Sequence, residues 1–100
     1  MANNSNDALS GAVIDEFTEV TVTEISLFCA VPQDRILALV DEGILEPIAR
    51  SRDEWRFGGP SLRRAATALR LQRELDVHLG AVAVILDLLE QIETLRNRVR

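Results

Sequence analysis

The sequence has no lysine and no tyrosine, and it has one cysteine and one histidine. Without these residues, Schiff-base chemistry and general acid and base catalysis lack their usual side chains. One cysteine and one histidine cannot assemble a typical zinc site, and a single cysteine excludes an internal disulfide. No glycine-rich phosphate loop is present either. We therefore expect a protein that is not an enzyme and that has no cofactor or metal.

Long apolar runs are also missing from the chain. No segment approaches the roughly 18 consecutive apolar residues that a membrane-spanning helix needs. The chain also lacks the positively charged amino-terminal region that precedes the apolar region of a signal peptide. The single cysteine, Cys29, suits a reducing compartment. Its apolar neighbours Leu27 and Phe28 predict a buried core thiol, because reactive thiols need cationic neighbours. We expect a cytoplasmic protein without a membrane partner.

The charges that are present lie unevenly along the chain, whose net charge is -5. Residues 1–48 hold nine acids and one base, Arg35, whereas the remaining 52 residues hold seven acids and ten arginines. This asymmetry indicates one acidic docking surface or two faces with different partners. A solvated surface is the alternative explanation of the same charges.

One hundred residues, of which 47% are hydrophobic, suffice for one modest core, so we expect a single domain. Residues 1–19 are polar and acidic, with weak apolar periodicity, and predict a largely disordered leader. Residues 20–76 predict a winged helix-turn-helix unit with a following helix. Residues 77–100 predict a C-terminal helix of the same domain. The expected fold is mainly α, with a small β-hairpin wing and a long coiled-coil-like last helix.

The helix-turn-helix prediction rests on residues 22–43. Thr23 is the expected N-cap of a first helix at 24–30, and Pro32 lies in the first turn of a second helix at 33–42. Gly43 supplies the left-handed residue that closes the second helix. The first helix should bury Ile25, Phe28 and Cys29, and the second Ile36, Leu37, Leu39 and Val40. The exposed side of the second helix should then hold Gln33, Asp34, Asp41 and Glu42.

A hairpin is predicted at residues 48–57, where Trp55 and Phe57 alternate with Arg56 and Trp55 is the expected core anchor. A further helix should start near Pro60 and end near Leu75. Its apolar side faces the core. The other side carries four arginines, Arg63, Arg64, Arg70 and Arg73. We expect these arginines to be solvated or to pair with Glu74 and Asp76.

The last helix, predicted at 79–100 with His78 near its start, carries a heptad seam. Apolar residues step by four and three along it: Ala81, Ile85, Leu88, Ile92, Leu95 and Val99. A second stripe of Val82, Leu86 and Leu89 exists only in the first half. An isolated helix of this length is marginal in water. We therefore expect a homodimer through Ile85, Leu88, Ile92, Leu95 and Val99, with packing inside the molecule as the alternative.

The order and spacing of these features resemble the MerR-type winged helix, and within that superfamily the CbpM family of chaperone modulators. The resemblance covers about residues 20–100, and no single motif in it is diagnostic. The segments that carry it are Val22-Thr23-Glu24, the run 40–47, Trp55-Arg56-Phe57, the stretch 70–76, and the start of the last helix at 80–83.

The second helix departs from the DNA-binding relatives. MerR regulators usually carry an arginine-tyrosine-tyrosine-glutamate run before the glycine that ends this helix. Aligned on Gly43, those places hold Leu37 to Val40, and Asp41 takes a commonly basic position. The missing phosphate contacts argue against specific DNA binding. Because Arg35, Arg50, Arg52 and Arg56 remain, a MerR-like DNA-binding transcriptional regulator is the alternative function, and an assembly module that uses only the last helix is a third.

The resemblance to CbpM implies a partner and a mechanism. Members of this family bind the J-domain of a CbpA-type, DnaJ-like co-chaperone and inhibit its co-chaperone and DNA-binding activities, which would place the chain near the nucleoid through its partner. The basic J-domain helix that docks on the Hsp70 chaperone would be occluded by an acidic surface. The expected docking residues are Leu27, Asp34, Asp41, Glu42, Ile44 and Glu46. Leu27 and Ile44 would form its dry centre if exposed.

Overall fold

Four helices and three short strands form the part of the chain that the computed structural model describes, residues 18–51 and 54–99. Most of the predicted leader, residues 1–17, lies outside that part. The elements are β1 (Glu19–Thr21), α1 (Val22–Cys29), α2 (Gln33–Asp41), β2 (Ala49–Ser51), β3 (Glu54–Gly58), α3 (Ser61–Leu75) and α4 (Leu79–Arg98). The mainly α fold with a hairpin wing and a long last helix is confirmed.

Helix α1 begins two residues earlier than predicted, because its N-cap is Thr21 and not Thr23. The Thr21 hydroxyl accepts a hydrogen bond from the backbone N–H of Glu24 at 3.2 Å. In return, Oε1 of Glu24 accepts from the backbone N–H of Thr21 at 2.9 Å. This capping box satisfies two backbone donors at once. The position of Glu24, three residues after Thr21, is the signal in the sequence that distinguishes the two threonines.

Strand β1 was not predicted, and it moves Glu19 out of the expected leader. It pairs antiparallel with β3, with Val20 opposite Phe57, so that the strand order is β1-β3-β2. The predicted hairpin is present as β2 and β3, in which Arg50 lies opposite Trp55. Three residues are too few to display the alternation of a strand. Only the pairing with β3 makes this segment extended.

The hydrophobic core lies where the two helices of the helix-turn-helix unit, the sheet, α3 and the first half of α4 meet. Its buried members are Val20, Ile25, Ile36, Leu39, Ile44, Leu45, Phe57, Leu62, Ala65, Ala68, Leu69, Val82 and Leu86. Phe57 is fully buried, whereas Trp55 is half-buried at the border of the core. The two rings meet edge to face, with centroids 6.4 Å apart. Phe57 is therefore the anchor of the wing, a role that the sequence had suggested for Trp55.

Helix α2 buries Ile36 and Leu39, as predicted, and half-buries Val40. Leu37 was expected inside the core, but its side chain is 41% exposed. The helix ends at Asp41, and Gly43 follows with the predicted positive φ of 75°. That conformation brings the N–H of Ile44 back to the carbonyl of Leu39 at 2.9 Å.

Arg64 was expected on a solvated face, but it connects three parts of the fold. Its Nε donates to the carbonyl oxygen of Ile44 at 2.6 Å, so α3 holds the turn that follows α2. Its guanidinium also forms an ion pair with Glu90 and lies 3.9 Å from Asp87, both on α4. The expected ion pair on the exposed side of α3 is present between Arg70 and Glu74, at 3.4 Å.

Helix α4 uses its second stripe, not its heptad seam, to pack on the core. Val82 and Leu86 are buried, whereas the rest of the seam beyond Ile85 is half exposed or more: Leu88, Ile92, Leu95 and Val99. Leu89, the third member of the second stripe, is 48% exposed. The apolar seam in the carboxyl-terminal half of α4 is thus left largely uncovered by the described residues. No helix in that part of the chain is long and apolar enough to span a membrane.

His78, which the sequence placed near the start of the last helix, caps α4, since its Nδ1 accepts from the backbone N–H of Ala81 at 3.3 Å. Replacing His78 with alanine should lower the free energy of unfolding by about 1 kcal/mol, because an N-cap acceptor is lost. For a domain of this size, that corresponds to a melting temperature lower by about 4–8 °C. Thermal unfolding followed by circular dichroism measures it. His78→Asn restores a cap acceptor and should recover most of the loss; equal melting of both variants would contradict the capping role.

Candidate partner-docking surface

A ridge on the exposed side of α2 carries two of the predicted acidic residues. Asp34 and Asp41 are both exposed, and Leu37 lies between them at spacings of three and four residues. Residues at these spacings lie on one face of a helix. Asp34, Leu37 and Asp41, here called the α2 ridge, therefore present an apolar side chain flanked by two carboxylates.

Leu27 lies on the neighbouring helix α1 and is 72% exposed. It follows Thr23 by one helical turn, on the same face of α1. The Thr23 hydroxyl accepts from Nε2 of Gln33 at 3.0 Å, which ties this face of α1 to the first residue of α2. Gln33 directly precedes Asp34. The fold therefore places Leu27 on the side of the helix-turn-helix unit where the α2 ridge begins.

Glu42 and Glu46 are exposed, but they are not part of the α2 ridge. The Oε1 atom of Glu42 lies 3.7 Å from where a Cβ atom on Gly80 would be, so this carboxylate faces the amino end of α4. A negative charge there is favoured by the dipole of α4. Glu46 lies in the connection between α2 and β2. Of the four predicted acids, α2 thus brings only Asp34 and Asp41 onto one face.

Ile44 must be removed from the predicted docking residues. Its side chain is 2% exposed and belongs to the core, while its carbonyl oxygen is held by Arg64. The turn after Gly43 folds inward, so the residue cannot touch a partner. Leu37 is instead the exposed apolar side chain beside the acids of α2. The signal for Leu37 was its spacing from Asp34 and Asp41, which places all three on one helix face.

A groove of about 320 Å³ runs beside the ridge, between α2 and the wing. The groove is lined by Val22, Thr23, Gln33, Leu37, Arg50, Glu54 and Trp55. Leu37 therefore belongs to both the α2 ridge and the groove. The guanidinium of Arg50 lies 5.7 Å from the centroid of the Trp55 ring, within the range of a cation–π contact. The ridge and this α2–wing groove together offer apolar surface beside carboxylates, which suits a basic partner with an apolar side chain.

The exposed face of α2 lacks the cations that a DNA reader would need. Arg35 is the one cationic side chain on α2, and its guanidinium donates to Oε1 of Gln72 on α3 at 3.3 Å. Leu39 is buried and Asp41 is exposed at the positions where DNA-binding relatives place phosphate contacts. Phosphate neutralisation supplies most nucleic-acid affinity, and α2 offers few of the cationic contacts that this requires.

Cys29, predicted to be a buried core thiol, is half-buried at the end of α1. Burial raises the pKa of its thiol above the ordinary value. The thiol therefore stays protonated at neutral pH, and the thiolate is the reactive form. In the described residues, no group of three or more histidine, cysteine, aspartate or glutamate side chains is arranged to hold a metal ion.

Comparisons with known proteins agree with this architecture. A family described as MerR HTH family regulatory protein matches residues 20–100. The chaperone modulatory protein CbpM of Coxiella burnetii (strain Dugway 5J108-111) is 29% identical over 92 residues, which are 92% of this chain and 87% of the relative. CbpM of Salmonella paratyphi A is 32% identical over 80% of this chain and 79% of the relative. CbpM of Pseudomonas putida (strain W619) is 34% identical over 64% and 63%, respectively.

Proposed function

The chain belongs to the CbpM family of chaperone modulatory proteins within the MerR-type helix-turn-helix proteins, and we propose that it binds the J-domain of a CbpA-type co-chaperone. Binding inhibits the co-chaperone by covering the basic J-domain helix that docks on Hsp70. The observation that carries the proposal is the α2 ridge, in which Leu37 lies between the carboxylates of Asp34 and Asp41.

Charge and shape both support this pairing. The exposed acids on α2 are complementary in sign to a basic J-domain helix, and such complementarity speeds encounter and fixes register. Leu37 and Leu27 provide exposed apolar surface from which water can be expelled, as the centre of a protein interface requires. Trp55 and the α2–wing groove extend that surface towards the wing.

Inhibition then follows from occupancy alone. A J-domain whose basic helix is covered by the α2 ridge cannot present the same helix to DnaK. The chain acts as a stoichiometric inhibitor, without catalysis and without a cofactor. The same complex lowers the DNA binding of the co-chaperone, because part of its basic surface is taken up.

The first experiment is titration calorimetry of the full chain with the J-domain of its CbpA-like co-chaperone, at low and at moderate salt. Saturable binding that weakens as salt rises supports the acidic docking surface, because salt screens exposed charges. Absence of heat at either salt, with a folded protein, would contradict the proposal. Retention on heparin and salt-sensitive duplex binding would then favour the DNA-binding alternative.

Charge reversal on the ridge tests the residues. Asp34→Arg and Asp41→Arg should each lower the association rate constant by about tenfold at low salt, with a smaller effect on dissociation, because exposed charges act on encounter. Stopped-flow binding measures both rates. Glu93→Arg is the matched control, since it makes the same change of charge on the exposed side of α4. Equal rates for the ridge variants and the parent would place the J-domain elsewhere on the molecule.

The exposed half of the α4 seam supports a second part of the proposal, a homodimer. Leu88, Ile92, Leu95 and Val99 follow the heptad spacing and find no cover among the described residues. The same seam on a second copy has matching spacing and is equally apolar, as coiled-coil pairing requires. A dimer formed through α4 leaves α2 free, and each dimer carries two α2 ridges.

A further inference from the structure

A second concave surface lies away from the ridge, where the end of α1 and the start of α2 meet the outer side of α3. It encloses about 620 Å³. Phe28, Val31 and Leu69 are the more deeply placed apolar residues and form its floor, and the exposed residues Arg35, Arg70 and Arg73 also line it. We call it the α1–α3 cleft. It shares no lining residue with the α2–wing groove.

The charge of this cleft is opposite to that of the molecule. Three arginines and no acidic residue line it, although the chain as a whole carries a net charge of -5. Arg35 is engaged by Gln72 and Arg70 by Glu74, in exposed contacts that contribute little to stability. Arg73 forms no ion pair or hydrogen bond with any side chain in the described part of the chain. The cleft therefore has guanidinium donors available for an anionic ligand.

We propose that the α1–α3 cleft is a second docking site, which binds an acidic peptide segment carrying an aromatic or large aliphatic side chain. Carboxylates of the segment pair with Arg73 and Arg35, and the apolar side chain covers Phe28 and Val31. Guanidinium groups bind carboxylates through short, charge-assisted hydrogen bonds, often in pairs. Because the cleft shares no lining residue with the α2–wing groove, a segment bound in the cleft leaves that groove uncovered.

An acidic peptide fits the cleft better than a nucleic acid does. A nucleic-acid backbone is bound by cations that follow its phosphates along an extended surface. Here the cations surround an apolar floor, and the acidic side chain of Glu74 lies directly beside Arg70. Apolar floor and cationic rim together match a ligand that is both anionic and apolar.

A fluorescein-labelled peptide that alternates glutamate with phenylalanine is the probe, and fluorescence anisotropy with the full chain is the measurement. The matched peptide with serine in place of phenylalanine should bind at least about tenfold more weakly, because it leaves the floor uncovered. Arg73→Glu should weaken binding of the first peptide by about tenfold or more, since a charge-assisted contact becomes a repulsion.

Arg63→Glu is the matched control for this variant. Arg63 is exposed on the same helix, outside the cleft, and its replacement changes the net charge by the same amount. Because Arg63 does not line the cleft, Arg63→Glu removes no cleft contact and should weaken peptide binding much less than Arg73→Glu does. Thermal unfolding of both variants should match the parent, because both side chains are exposed.

Cys29 provides a direct report on the site, since it lines the cleft and is the one cysteine of the chain. Its rate of alkylation by iodoacetamide, followed by intact mass in mildly alkaline buffer, should fall severalfold when the peptide saturates the protein. The same protection is expected in Arg63→Glu. It should be absent in Arg73→Glu at the same peptide concentration.

Four results would overturn the proposal. Equal binding of the serine and phenylalanine peptides, or equal loss in Arg63→Glu and Arg73→Glu, would reduce the effect to general attraction between charges. Tighter binding of duplex DNA, with protection of Cys29, would make the cleft a nucleic-acid site. A large rise in peptide affinity when Asp7, Asp15 and Glu16 are replaced by their amides would identify the chain's own leader as the occupant.

Discussion

Replacing Ile92 with glutamate is expected to convert the proposed homodimer into a monomer at micromolar concentrations. Ile92 lies in the middle of the exposed half of the α4 seam, between Leu88 and Leu95. In a symmetric coiled coil, the two introduced carboxylates would be desolvated and would face each other. We expect the dissociation constant to rise by about a hundredfold or more, which corresponds to about 2.7 kcal/mol.

Sedimentation velocity over a range of protein concentrations measures this effect. Thr94→Glu is the control, because Thr94 is exposed on α4 but lies outside the heptad seam. It should leave the dimer intact. The domain itself should remain folded in Ile92→Glu, since Val82 and Leu86 anchor α4 in the core and are unchanged. A parent protein that stays monomeric at tens of micromolar would contradict the homodimer.

The same variant separates dimerisation from docking. The α2 ridge lies on another helix, so monomeric Ile92→Glu should bind a J-domain with the intrinsic affinity of a single ridge. What it loses is the second ridge of the dimer and any gain from two-point attachment. Titration calorimetry of Ile92→Glu with the isolated J-domain reports that single-site affinity. A complete loss of binding would show that the docking surface needs both copies.

The sequence allowed the order and type of the longer elements to be predicted, because periodicity accumulates over many residues. The heptad steps from Ala81 to Val99 and the breakers at Gly43 and at 58–60 marked the helices close to their observed bounds. Strand β1 could not be found in this way. Its three residues become extended through pairing with β3, a contact between positions far apart in the chain.

The candidate site was predictable only in part, because the aliphatic residues of α2 spread over a wide arc, roughly 160° of the helix circumference. Of Ile36, Leu37, Leu39 and Val40, Leu37 lies at one edge of this arc, and tertiary packing decides which edge remains outside the core. The burial of Ile44 was not predicted from the sequence for a related reason. A turn residue is usually exposed, but the hydrogen bond from Arg64 draws this turn inward, and nothing local in the sequence indicates that contact.

Ile44→Ala and Leu37→Ala should have opposite effects, although each removes an aliphatic side chain from the same part of the fold. Ile44 is fully enclosed, so truncation leaves a cavity and should lower the free energy of unfolding by about 2–5 kcal/mol. That is a large fraction of the free energy of unfolding of a typical domain, which is roughly 5–15 kcal/mol. The J-domain affinity of the protein that remains folded should not change.

Leu37→Ala should leave the free energy of unfolding within about 0.5 kcal/mol of the parent, because the side chain is largely outside the core. It should weaken J-domain binding by about tenfold, as expected for an apolar residue at the centre of an interface. Urea unfolding at one fixed protomer concentration, combined with calorimetry at low temperature, measures both quantities while keeping the dimer equilibrium constant. If Leu37→Ala lost stability and kept its J-domain affinity, the α2 ridge would belong to the fold and the docking surface would lie elsewhere.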